Sequence, residues 1–137
     1  MLAKGAWDSA DKLEFTVDPK RPARSSFTER PQESTAYDLS IDVEPIDELI
    51  DSLQLKRVDF IKMDIEGAEI RALAGAKGTL RRWKPLLAIA VEHTADPLSN
   101  AKAVRDLVQR LNPAYRCTAG PYGVLNHRLV PEILYFS

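Results

Sequence analysis

Four side chains in this sequence, Asp64, Glu66, Glu92 and His93, could move a proton or hold a cation if the fold brings them together. Asp64 and Glu66 follow the run Phe60-Ile61-Lys62-Met63, and Glu92-His93 follow the apolar run from Leu86 to Val91. A run that is mostly apolar and gathers charge only near its end reads as a buried strand that finishes in a site. In open parallel sheets, ligands lie beyond the carboxyl ends of the strands. Two adjacent strands would therefore bring all four groups to one rim.

Three chemistries fit that set. A carboxylate or an imidazole can take the proton of an acceptor hydroxyl during methyl transfer, and His93 is the better base near neutral pH. Carboxylates with an imidazole also suit a divalent metal, as a hydrolase would use, although no spaced metal motif accompanies them. The third reading is structural, since Glu66 and Glu69 stand at a helix start, where negative charge is favoured. That reading is adopted for Glu69. Asp64 is taken as functional, because a carboxylate ending a buried strand is costly without a partner; Lys62, on the same strand face, is the competing explanation. His93 stands between a capping role and a catalytic one. Gly67 suits a strand-to-helix turn beside a ligand, and Gly75 and Gly78 mark helix ends or close packing.

The elements that must position these groups follow from periodicity. Leu13-Glu14-Phe15-Thr16-Val17 alternates and reads as a strand. Residues 18–36 hold Pro19, Pro22 and Pro31 among polar groups and read as a loop. Ser40 to Val43 reads as a brief strand, and Pro45 suits the first turn of a helix carrying Ile46, Leu49, Ile50 and Leu53. Val58 to Ile65 favours a strand. A helix near Ala68 carries Ile70, Leu73 and Ala74; Gly75 breaks it, and a second helix with Leu80 and Trp83 stops at Pro85. Leu86 to Val91 is apolar on both faces, as a strand buried on both sides of a parallel sheet would be. Ser99 or Asn100 can cap a helix carrying Val104, Leu107, Val108 and Leu111. Tyr115 to Thr118 and Ile133 to Phe136 read as two last strands, paired antiparallel because no helix separates them. The order predicts an α/β sheet with a parallel centre.

The chain has 137 residues, enough for one domain with one core. Its formal net charge of -1 offers no field to hold a nucleic-acid backbone. The basic clusters at Lys20, Arg21 and Arg24 and at Arg81, Arg82 and Lys84 read as solvated surface. No stretch reaches the length of a membrane span, and Lys4, Asp8, Asp11 and Lys12 interrupt any secretory signal. The single cysteine, Cys117, permits no internal disulfide and suits a reducing compartment; within a strand it reads as a buried structural thiol. A cytoplasmic protein that engages neither membrane nor nucleic acid is expected.

The stretch Val58-Asp59-Phe60-Ile61-Lys62-Met63-Asp64-Ile65-Glu66-Gly67-Ala68-Glu69 resembles the signature of FkbM-family methyltransferases. Leu73-Ala74-Gly75-Ala76, Leu80, Pro85 and the apolar strand ending in Glu92 extend the resemblance. Ala6-Trp7-Asp8, ahead of the Leu13 to Val17 strand, resembles the region after the third strand of that fold. Most of residues 3–93 is covered. The resemblance implies a Rossmann-like class I methyltransferase sheet, mostly parallel with an antiparallel last strand. It also implies S-adenosylmethionine as cofactor and a hydroxyl on a sugar or natural product as acceptor. By the same resemblance Asp64 faces cofactor and acceptor, Ala6 and Trp7 contact the adenine, and Glu66 and Gly67 border the cofactor. Asp64 and His93 are the catalytic candidates, and no resident metal is assigned.

The sequence also departs from the family. The glycine-rich turn after the first strand, and the acidic residue after the second, have no counterpart, and no Gly-x-Gly occurs. The expectation is one domain over 1–137 that lacks its N-terminal strands, leaves a central strand as an exposed edge and binds the cofactor weakly by itself. The alternative is a catalytically inactive half-fold that uses this edge to form a homodimer or to join a protein partner.

Overall fold

The computed structural model describes residues 3–17 and 37–137, with side chains over 3–14 and 40–137. The loop expected over 18–36 lies outside the described residues. Two short residues, Gly5–Ala6, form β1, which runs parallel to the end of β3 (Tyr37–Glu44). The alternating segment Asp11–Val17 is β2 and pairs antiparallel with β3 over its whole length, from Asp11 opposite Val43 to Val17 opposite Tyr37. The strand expected at 40–43 is thus twice as long as its local sequence suggests, because a partner 20–32 residues away in sequence supplies its ladder. Pro45, extended at φ -60° and ψ 141°, then leads directly into helix α1 (Ile46–Ser52).

A second sheet carries the site. Its strands are β4 (Phe60–Met63), β5 (Leu86–Ala90), β6 (Cys117–Ala119) and β9 (Ile133–Phe136), in the spatial order β4-β5-β9-β6. β4 and β5 are parallel, joined by helices α2 (Glu69–Ala74) and α3 (Lys77–Arg82). β9 runs antiparallel to both β5 and β6, so β6 points the same way as β4 and β5. The sheet is mixed rather than mostly parallel, with one parallel pairing, β4 with β5, and two antiparallel ones; the antiparallel last strand and the β6–β9 pairing agree with the sequence. On its other side β4 has no strand neighbour among the described residues.

Three details differ from expectation. β4 is four residues long and leaves the ladder at Asp64, where the site begins. Helix α4 (Pro97–Leu111) starts earlier than Ser99: the Asp96 side chain accepts from the Ser99 N–H at 3.2 Å, and Pro97 occupies the first turn, where its missing N–H costs nothing. The segment read as a connector holds a hairpin, β7 (Tyr122–Leu125) with β8 (Arg128–Pro131), closed by Asn126 and His127 at φ 49° and 62°. Two left-handed residues match the twist of a two-residue hairpin.

One face of the second sheet presents Ile61, Met63, Leu87, Ile89, Leu134 and Phe136 to α2, α3 and α4, whose Leu73, Leu80, Val104 and Val108 are fully buried there. On the opposite face Phe60, its cross-strand partner Leu86, and Tyr135 remain exposed at 57%, 53% and 42%. The expectation that Leu86 to Val91 is buried on both sides therefore holds for Leu87 to Val91 but not for Leu86. Tyr115 ties the sheet's lower end together: its hydroxyl donates to the Pro85 carbonyl at 2.7 Å, and burial pushes its pKa up to about 12.

The ends of β1 and β3 meet the α2–α3 junction at Gly75. A Cβ there would fall 2.0 Å from the Trp7 carbonyl oxygen and 3.0 Å from the Pro45 Cα. The Asp47 N–H also donates to the Gly75 carbonyl at 3.0 Å. The Asp47 side chain accepts from the N–H of Gly78 and Thr79 and from the Thr79 hydroxyl, at 2.7, 2.8 and 2.7 Å. It thereby caps α3 from a helix thirty residues earlier. Close packing, the reading given to Gly75 and Gly78, is what both positions show.

Candidate functional site

Asp64 is the first residue past the carboxyl end of β4, and Glu92 and His93 follow the end of the adjacent parallel strand β5. Between Asp64 and α2 the chain turns sharply: Glu66 and Gly67 both take left-handed conformations, φ 54° and 96°, and the Ala68 N–H donates to the Ile65 carbonyl at 3.2 Å. Gly67 adopts this φ without strain, and a Cβ there would touch Thr94 Cγ2 at 3.7 Å. The reading of Gly67 as a turn residue beside the site thus agrees with its backbone.

The imidazole of His93 sits among three carboxylates. Its Nε2 lies 3.1 Å from Asp64 Oδ1 and 3.6 Å from Glu92 Oε1, and its Nδ1 lies 3.5 Å from Glu66 Oε2. The four side chains anticipated from sequence do converge on one rim. Lys62 Nζ also donates to Asp64 Oδ2 at 3.3 Å, so the competing partner of Asp64 is real and uses its second oxygen. His93 is 29% exposed in its side chain and the carboxylates between 38% and 46%, so a ligand can reach the group.

Ligand atoms of Asp64, Glu66 and His93 lie within 4.8 Å of one another. That is the donor set of a divalent-cation site, and equally that of a histidine hydrogen-bonded between carboxylates. The 3.1 Å contact from His93 to Asp64 satisfies both groups without an ion.

The loop after β5 is anchored from both sides. The Val91 N–H donates to the Glu132 carbonyl at 2.9 Å, and the Asn100 side chain donates to the Val91 carbonyl at 3.1 Å. Hydrogen bonds from Ser99 hold the Asp96 carboxyl below the usual carboxylate range. Beside this loop a cavity of about 570 Å³ opens between α4 and the β7–β8 hairpin, lined by Ala95, Asp96, Leu98, Leu125, Asn126 and Arg128 among others. Local sequence does not disclose it, because its far wall is a hairpin within a segment that reads as a connector. The pair Asn126-His127 between two apolar stretches was the available signal.

Ala6 and Trp7, the positions assigned to adenine, lie at and just after the end of β1, beside the end of α2. Ala6 packs against the main core. The Trp7 ring has the Arg71 guanidinium 5.6 Å from its centre, and Arg71 pairs with Asp8, whose carboxyl that hydrogen bond holds below its ordinary pKa. Glu69 stands in the first turn of α2, as read from sequence, and is also buried, where its Oε1 accepts from the N–H groups of Ile65 and Gly67 at 3.1 and 3.3 Å. Cys117 is half-buried and burial pushes its thiol pKa up, consistent with an inert structural thiol. Among the described residues no helix is long and apolar enough to cross a membrane.

Comparison with known proteins bears on this arrangement. The family model for the methyltransferase FkbM domain matches residues 3–117. No curated protein matches the chain. Among solved structures, the chain is similar to the crystal structure of methyltransferase FkbM from Methylobacillus flagellatus KT, with 27% identity and a TM-score of 0.60. The match covers 98% of this chain and 27% of that one, so this chain spans about a quarter of that protein's length. The mixed α/β fold of this chain is similar to that of the matched part of this methyltransferase. By a match over most of its length, the chain belongs to the family of methyltransferase FkbM domains.

Proposed function

We propose that this domain serves S-adenosylmethionine-dependent methyl transfer to a hydroxyl group, on a sugar or another polyhydroxylated natural product. The observation that carries the reading is the contact between His93 and Asp64 across the ends of two adjacent parallel strands. Bound S-adenosylmethionine would supply an electrophilic methyl carbon on a sulfonium. The acidic rim suits that cofactor, because both the sulfonium and the amino group of its methionine moiety are positive. Ala6 and Trp7 would take the adenine, and Asp64, Glu66 and Gly67 the part of the cofactor near the methyl group.

The base chemistry follows from the hydrogen bonds. With the Nε2 proton of His93 directed at Asp64, the acceptor hydroxyl would take the place of Glu66 Oε2, 3.5 Å from Nδ1, and give its proton to Nδ1 as its oxygen takes the methyl group and the sulfonium leaves as a neutral thioether. Asp64 then stabilises the imidazolium that forms. Holding oxygen, carbon and sulfur in line supplies much of the rate in such a transfer.

The test combines calorimetry with S-adenosylmethionine and a methyl-transfer assay over a panel of sugars and polyols. Both are run on this chain and on a form extended at its amino end. His93→Ala is expected to slow transfer by about 10²–10⁴-fold while leaving cofactor affinity nearly unchanged. Absence of cofactor binding in both forms would sink the reading, and so would full turnover by His93→Ala.

A further inference from the structure

Glu69 is 1% exposed, and among the described residues it is the one acidic or basic side chain that is buried. A carboxyl group removed from water needs hydrogen bonds to persist there. It finds them outside its own helix: Oε1 accepts from the Ile65 N–H at 3.1 Å and the Gly67 N–H at 3.3 Å. These two donors flank Glu66, a non-glycine residue held at φ 54°. Such a conformation is unfavourable for a residue with a Cβ and persists only where its surroundings impose it. The consequence is geometric. Two successive left-handed residues reverse the chain just after Asp64, so Asp64 and Glu66 both reach the same imidazole, one at Nε2 and the other at Nδ1.

We propose that Glu69 is the positioning residue of the rim: by bridging the N–H groups of Ile65 and Gly67 it sets the turn that aims Asp64 and Glu66 at His93. Its part in a reaction rests on the methyl-transfer reading above, whereas the geometry it imposes can be measured without any reaction. A merely favourable charge at a helix start would not need burial, nor an oxygen directed back at the preceding turn.

The chain has two histidines, so the ring Cε1–H resonances of His93 and of His127, in the β7–β8 turn, can be followed separately by NMR. Asp64→Asn is expected to displace the His93 resonance and leave that of His127 in place. The same displacement is expected in a Glu69→Gln background, because the amide oxygen can accept the same two N–H bonds. In Glu69→Ala it should fall by about threefold or more, as coupling between two sites does when the element joining them is lost. An undiminished displacement in folded Glu69→Ala overturns the proposal. So does a loss in Glu69→Gln as large as in Glu69→Ala, or no displacement in the wild-type background.

If Glu69→Ala gives no folded spectrum, Gly67→Ala takes its place. It strains the turn at φ 96° while its new methyl has room, and undiminished coupling there is equally fatal. Failure of every form to methylate any acceptor would count against methyl transfer alone and leave the NMR result standing. Equal turnover by wild type and Glu69→Ala would remove Glu69 from the reaction.

Discussion

Asp47, where β3 passes into α1, directs both carboxylate oxygens at the backbone and hydroxyl of α3; Asp64, where β4 passes toward α2, directs its oxygens at the side chains of Lys62 and His93. Both acids sit at strand-to-helix junctions. The difference lies in what they hold. Backbone N–H groups cannot turn away, so Asp47 is a fixed tie between two helices. Lys62 and His93 are on an open rim and can exchange their contact with Asp64 for one with a ligand. The first junction is closed by Gly75, which admits no side chain at all. The second keeps room beside Gly67, where an added Cβ would meet only ordinary contacts. A junction packed to this degree points to stability, and one with exposed, mutually satisfied acids points to chemistry.

The sharpest way to break this comparison is Gly75→Ala. Its Cβ would overlap the Trp7 carbonyl, so the backbone after β1 must move relative to the end of α2, at about 3 kcal/mol or more. Denaturant melts showing under about 1 kcal/mol would mean the junction is looser than its geometry. Next is Asp47→Ala, which strands the buried Thr79 donors and is expected to cost about 2–3 kcal/mol in the same melts.

A smaller effect calibrates the scale. Tyr115→Phe removes one buried hydroxyl contact, worth about 1 kcal/mol at neutral pH. Because the folded pKa of Tyr115 is raised to about 12, above the unfolded value near 10, its stabilisation is complete below about pH 10 and is lost as pH rises toward 12. The variant should therefore lose stability less steeply over that window, and an identical alkaline decline would show that Tyr115 is not its source. The smallest change in stability is expected from Asp64→Asn, under about 0.5 kcal/mol, since the group is 46% exposed and its pairs are screened. Its effect belongs on transfer, with a loss of about 10²-fold or more. A large loss of stability with unchanged transfer would reverse the roles of the two junctions.

Much of the second sheet was legible from local pattern. The apolar run Leu87 to Val91, the break at Gly75 and the stop at Pro85 each express a constraint carried by neighbouring residues. The helix start at Asp96-Pro97 was also written locally and was passed over for the polar pair two residues on. The length of β3 and the reach of Asp47 to α3 were not legible, because each depends on a partner 20 or more residues away. The hairpin of β7 and β8 had only a weak local sign in Asn126-His127.

The candidate site divides in the same way. Residue types and the positions of Asp64, Glu66, Glu92 and His93 at the ends of apolar runs were enough to propose a rim, and the resemblance of residues 58–69 to a family signature proposed the family. Those are one-dimensional features, since strand ends and a twelve-residue signature can be read along the chain. Only the folded molecule decided that Asp64 meets His93 at 3.1 Å, that the Glu69 side chain turns back into the 65–67 turn, and that a cavity opens beside the loop. Each of these depends on the register between β4 and β5 and on side-chain directions at the turn, which follow from packing and hydrogen bonding across elements rather than from the order of residues within one.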